Sequence, residues 1–198
     1  MDKFVLEYES EIRLTVFLGM FMTIAVWELA VPRRPLSCSR LFRWSSNLGI
    51  VVLNTISLRL IFPVAAIGVS GYAMSRGWGV FNILQLPNWI EDTLSIVALD
   101  FIIYWQHVVF HKVPLFWRLH RVHHTDLDFD VTTGVRFHPV EILLSMIIKM
   151  LAVVVIGAGA VAGLIFELVL NASSMFNHGN VRLPLRADKA LRLILVTP

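Results

Sequence analysis

The sequence predicts an all-α fold: an integral membrane helical bundle of four to five spans. Three observations carry that expectation. Of 198 residues, 57% are hydrophobic and 16% charged, with a mean hydropathy of +0.71, where a soluble domain carries ~25% charge. The apolar residues gather into runs, and ~20 apolar residues cross a bilayer. The basic residues are shared unevenly among the segments that join those runs. The same composition excludes a disordered chain, which is poor in apolar residues. With 11 Gly and 8 Pro it is not collagen-like, and with Cys38 as the one cysteine it is not a disulfide scaffold.

The elements follow in order. The N-terminus is acidic, with Asp2, Glu7, Glu9 and Glu11 against Lys3 and Arg13, whereas a secretory signal begins basic. Residues 14–31 form the first apolar run, ended by Pro32. A basic loop with Arg33, Arg34, Arg40 and Arg43 leads to a second run, 47–72, which contains Arg59 and Pro63. Gly77, Gly79 and Pro87 mark 73–88 as a loop or interfacial connector. The third run is 89–111, and a polar stretch, 112–138, holds most of the histidines. The last block, 139–176, is too long for one span. Gly157, Gly159 and Gly163 divide it into two spans or a deep hairpin. No repeat or linker interrupts this pattern, so 1–198 reads as a single membrane domain, with its motifs in 95–198.

Charge orients the bundle. With the N-terminus outside and the spans alternating, twelve Lys and Arg fall on the inner side and three on the outer. Cytoplasmic loops carry such an excess. Trp27, Trp44, Trp105 and Trp117 then fall near the inner interface and Trp78 and Trp89 near the outer one, depths that tryptophan prefers.

All seven histidines lie between positions 107 and 178. His107 and His111 are four apart, so a helix puts both on one face, able to share a metal. His120, His123 and His124 repeat that spacing. A single histidine is usually structural, but this density favours a metal site. Neutral imidazole suits Fe, Zn, Cu and Ni alike. The topology brings every histidine to the inner face. Asp100, two turns before His107, and Glu141, three after His138, are candidate partners for an imidazole N–H. Asp126, Asp128 and Asp130 read as a solvated loop or strand edge. Asn177 and Asn180 are placed to hydrogen-bond locally around His178. Glu28, Arg59, Lys149 and Glu167, in or near spans, are expected to snorkel or pair with one another.

Several motifs are absent from the sequence. There is no H-E-x-x-H, no C-x-x-C-H, and one cysteine cannot build an iron–sulfur cluster. Gly157, Gly159 and Gly163 lack the strand–helix context of a dinucleotide fingerprint and suit close helix packing or a bend. The spread of basic residues suits orientation and anionic lipid heads rather than nucleic acid.

The residues D-F-I-I-Y-W-Q-H-V-V-F-H at 100–111, L-F-W-R-L-H-R-V-H-H at 115–124, R-F-H-P-V-E at 136–141 and F-N-H-G-N at 176–180, with L-P at 183–184, resemble the fatty acid hydroxylase/sterol desaturase superfamily. The resemblance implies a membrane oxidase with a di-metal centre, two non-haem Fe, and O2 as co-substrate. Zinc is an expected substitute in a purified form. It implies metal ligands at His107, His111, His120, His123, His124 and His178. His138, with Asp100 and Glu141, would be a ligand or stand behind one. Where the family often has H-R, this chain has His107-Val108. The family follows a T-P like Thr197-Pro198 with another H-x2-H-H box, so residues 1–198 by themselves are expected to be inactive or nearly so.

The implied reaction hydroxylates or desaturates a lipid, a fatty acyl chain or a sterol. Electrons would come from an external donor, a ferredoxin or cytochrome b5-type carrier with its reductase, docking on the basic inner face. That face would be bacterial cytoplasm or the cytosolic side of the endoplasmic reticulum. Two alternatives use the same histidines: a zinc-dependent membrane hydrolase and a non-catalytic metal-binding membrane protein.

Overall fold

A computed structural model describes residues 2–62, 66–84 and 86–198. Its helices are α1 (Asp2–Ala30), α2 (Arg40–Ile61), α3 (Ala66–Ser75), α4 (Val80–Leu84), α5 (Asn88–Lys112), α6 (Pro114–His124), α7 (Pro139–Ile156), α8 (Ala160–Asn177) and α9 (Leu185–Leu191), with one 3-10 turn at Thr133–Val135. Among the described residues there is no strand, only an isolated bridge between Pro32 and Val181. Five segments are long and apolar enough to cross a membrane: Phe4–Ala30, Arg40–Leu84, Asn88–Lys112, Pro139–Ile156 and Ala160–Asn177. The expectation of an all-α bundle therefore holds.

Several boundaries shift. α1 starts well before residue 14 and bends at Tyr8, whose φ of −110° and ψ of 18° leave helical geometry. α2 begins seven residues ahead of the apolar run at 47, because Arg43 and Asn47 face a polar interior rather than a loop. Pro63, within the second run, lies outside the described residues. The connector 73–88 contains the end of α3 and all of α4. The last block resolves into two helices. Gly157, at φ 79°, closes α7, and Gly159 opens α8, as left-handed glycine at a helix end allows. Gly79, at φ 103°, packs so closely on Gly157 that a side chain on either would overlap the other loop.

α5, α7 and α8 share a core of Leu99, Ala152, Val153, Ile156 and Phe166. α1 closes over α8 through Phe21, Ile24, Ala25 and Met175. Large apolar side chains such as Leu60, Phe101, Leu151 and Val155 are left on the outside, as suits a bilayer. Long-range bonds define the two ends. Arg33 and Arg34 donate to Asn180, and Ser37 and Cys38 donate to Asp128, so the loops after α1, α6 and α8 meet at one end. The 157–159 turn meets Gly79 and Asn82 at the other.

Loop 125–138 departs from the sequence reading. Asp128 and Asp130 are buried, not solvated. The Arg43 guanidinium bonds Asp130 at 2.6 Å, Asp126 at 2.8 and 3.0 Å, and Thr133 at 3.2 Å. Asn47 adds bonds to Asp126 at 3.1 Å and Thr132 at 2.9 Å. Trp44 turns its indole N–H to Asp130 at 3.2 Å and packs on Phe21, so it is a core donor rather than an interface anchor. A buried guanidinium with several oxygen acceptors satisfies its desolvation through charge-assisted bonds. Burial pushes the Asp126 carboxyl up, but Arg43, Asn47 and Thr133 outweigh it and hold it below its usual value.

Glu28 does not pair with Arg59, Lys149 or Glu167. Its Oε1 accepts the backbone N–H of Val131 at 2.7 Å and of Asn180 at 2.8 Å. Lys149 and Glu167 do pair, at 2.7 Å, and Arg13 joins them.

Candidate metal centre

The end defined by loops 31–39, 125–138 and 178–182 carries the histidines. α5 delivers His107 and His111 from its last turns, and Pro114 restarts the chain at once as α6, with proline at the first helical position. α6 carries His120, His123 and His124 back over α5. One nitrogen from each of His107, His111, His120 and His124 lies within 4.8 Å of all the others. Beside this group, His123 meets His178 from the end of α8, Nε2 to Nε2 at 2.9 Å. The Nε2 atoms of His107 and His111 are 3.0 Å apart, and those of His120 and His124 are 3.1 Å apart.

Three rings have their proton placed by what lies behind them. His120 Nδ1 stands 2.6 Å from Glu141 Oε1. His123 Nδ1 stands 3.0 Å from the Arg136 carbonyl, and His178 Nδ1 stands 2.8 Å from the Ser174 carbonyl. Carbonyl and carboxylate oxygens only accept, so each Nδ1 carries the hydrogen and each Nε2 keeps a bare lone pair. Burial lowers the His123 pKa to about 2, helped by the neighbouring His178. Burial also lowers His124, to about 4, with His120 next in effect, and lowers His178. Neutral imidazoles with lone pairs turned toward one another repel unless a cation lies among them. The donor set therefore fits a metal ion. Ligands about 2.1 Å from one ion come as close together as these nitrogens only when they meet it near a right angle.

The outer groups hold this arrangement. Ser174 also donates its hydroxyl to the Gly134 carbonyl at 2.6 Å, locking loop 125–138 onto α8. Phe137 stacks flat on His123, ring centroids 4.4 Å apart. Trp117 lies 5.3 Å from the His111 ring and 5.8 Å from the His124 ring.

The other candidates are placed elsewhere. Glu141 orients His120, not the nearer-in-sequence His138. His138 caps α7, its Nδ1 accepting the Val140 N–H at 3.1 Å. Asp100 is exposed on α5 and makes no bond to an imidazole among the described residues. Asn180 bonds Arg34, across 146 positions, rather than locally. Sequence reasoning missed the roles of Glu28, Ser174 and Arg43. The one available signal was that each is a polar residue inside or beside an apolar run.

The fatty acid hydroxylase family matches residues 93–198. An alkylglycerol monooxygenase of Xenopus tropicalis is 29% identical over 93 residues, 46% of this chain and 21% of that protein. Methylsterol monooxygenase 2-2 of Arabidopsis thaliana is 32% identical over 79 residues, 38% of this chain and 30% of that protein. The chain thus spans less than a third of either relative's length. No solved structure matches it. Apolar helices, a metal-fitting histidine cluster and this match agree: the chain is an integral membrane protein of the fatty acid hydroxylase/sterol desaturase superfamily, related to lipid monooxygenases.

Proposed function

We propose that the histidine cluster holds a non-haem di-iron centre that uses O2 to hydroxylate or desaturate a lipid. One observation carries this reading: the fixed tautomers that turn the Nε2 lone pairs of His120, His123 and His178 inward. Imidazole itself suits iron and zinc alike, and the match to a family of lipid monooxygenases favours iron. Bound there, iron would supply O2 activation and oxidation of an unactivated C–H bond. His107, His111, His120 and His124 would hold one ion, and His123 and His178 the other. Glu141 keeps His120 aimed and offsets positive charge beside it. Phe137 covers His123 and Trp117 lies beside His111 and His124, apolar rings against which a lipid chain would pack.

The second position has two imidazoles in reach among the described residues. The histidine end would face the cytoplasm, as the basic excess there supports. Arg118, Arg121, Arg182, Arg186 and Lys189 are exposed on segments at that end. They would dock an acidic electron carrier of ferredoxin or cytochrome b5 type. The test is expression in iron-supplied cells, with metal analysis of the purified protein, O2 uptake, and lipid profiles with and without it. Two bound iron ions and a new hydroxyl or double bond support the reading. Stoichiometric zinc with ester hydrolysis and no O2 uptake would sink it in favour of the hydrolase.

A further inference from the structure

A cavity of about 920 Å³ lies beneath the histidines, between α1 and α2, with α7 and α8 as its back wall. α1 and α2 touch near the histidine end, where Phe21 meets Trp44. Below that contact the cavity separates them, and exposed Leu14, Thr55 and Arg59 border it on the outer side.

Its two ends differ in chemistry. The end under the histidines is apolar, formed by Met20, Val51, Phe137 and Met175. Phe137 is the partition, since its other face covers His123. The opposite end is charged. Arg13 binds Glu9 at 2.7 Å and also Glu167, and Glu167 binds Lys149 at 2.7 Å. Those four charges balance. Arg59, which also lines the cavity, has no carboxylate partner among the described residues. One uncompensated positive charge therefore stands exposed at the rim of an otherwise neutral, mostly apolar space. A second group is also unsatisfied. Asn54, 6% exposed and lining the cavity, donates to the Phe137 carbonyl but leaves Oδ1 without a partner.

We propose that this cavity binds a single-chain lipid with an anionic head, held head-away from the metal. The anionic group pairs with Arg59 at the charged end. The chain runs along α7 and α8 toward Phe137, and Asn54 Oδ1 accepts a hydroxyl on the chain. Asn54 holds the Phe137 carbonyl at the apolar end, and Arg59 stands five residues beyond it on α2, about 7.5 Å at the helical rise. A position well down the chain, rather than the carbon beside the head, is thereby presented to the histidines. The binding claim stands on the cavity alone; the claim about position rests on the proposed oxidation.

The test separates the two. Binding of palmitate, hexadecyl phosphate and hexadecanol to the purified full chain is measured by native mass spectrometry and fluorescent-probe displacement, without turnover. Palmitate should bind about tenfold or more tightly than hexadecanol, and Arg59→Gln should remove that advantage while leaving hexadecanol unchanged. Ala172→Phe, which fills the cavity, should weaken both. Hexadecyl phosphate matching or exceeding palmitate would assign the head as a phosphate rather than a carboxylate, still an anion. Equal binding of palmitate and hexadecanol, or Arg59→Gln without effect in a protein of unchanged helix content, overturns the proposal. Metal loading of the same preparations reports separately on the iron reading. In an active preparation the product should be oxidised remote from the head; oxidation beside it refutes the orientation.

Discussion

Glu141→Leu is the sharpest test of how the centre is held. Glu141 is 5% exposed and His120 is fully buried. The 2.6 Å contact between them joins a carboxylate to an imidazole N–H, a charge-assisted bond of the stronger kind. Leucine cannot accept that hydrogen, so the ring is free to rotate or change tautomer, and the ligand loses basicity. Removing such a partner typically costs 10–100-fold in metal affinity, about 1.4–2.7 kcal/mol. Glu141→Gln should fall between wild type and leucine. Its amide oxygen can still accept, but the charge is lost and its NH2 enters the place of Oε2, which has no partner here. The assay is a chelator-competition titration with Fe(II) or Co(II) in nanodiscs, with circular dichroism as a control on folding. Wild-type affinity in a folded Glu141→Leu protein would refute the orienting role.

Other outcomes follow from the same geometry. Arg43→Met leaves Asp130 buried without its cation and Asp126 with only Arg136 at 3.7 Å, and should cost about 3–5 kcal/mol in unfolding experiments. Asp128 is pushed up by burial, but Cys38 and Ser37 hold its carboxyl below the ordinary 3.8. Its contribution is therefore complete above 3.8 and is lost as pH falls through the lowered value. A plot of melting temperature against pH should drop in that acid range, less steeply in Asp128→Asn. His178→Ala should reduce bound iron from two ions toward one by elemental analysis, leaving the four-histidine group loaded. Gly134→Ala drives a methyl into the Ser174 backbone. It should destabilise by about 1–3 kcal/mol and weaken the same second ion.

What could be read from the sequence was local. H-x3-H and H-x2-H-H need only helical spacing to predict converging rings, and α5 and α6 supply it. The spans were legible because lipid demands long apolar runs. The supports of the site were not. Glu141 reaches His120 across 21 positions, and Arg43 reaches loop 125–138 across 83 to 90. No periodicity records such pairings. Asp126 and Asp130 look solvated because their cation, Arg43, comes from a helix far upstream, and Asp128 because its donors, Ser37 and Cys38, lie ahead of that helix. His138, close to Glu141 in sequence, is instead occupied by the start of α7.

The double acceptance by Glu28 ties together segments that lie far apart in the sequence. Its carboxylate sits on α1, yet its second donor is Asn180, 152 positions later. Until that segment arrives, loop 125–138 and the end of α8 are not tied together, and His123 has no fixed His178 to face. The four-histidine group spans residues 107–124, with Glu141 behind His120, and draws on no residue of that later segment. The His123–His178 pair does depend on it, so under the proposed function occupancy of a second metal position would report that α1, loop 125–138 and the end of α8 have met.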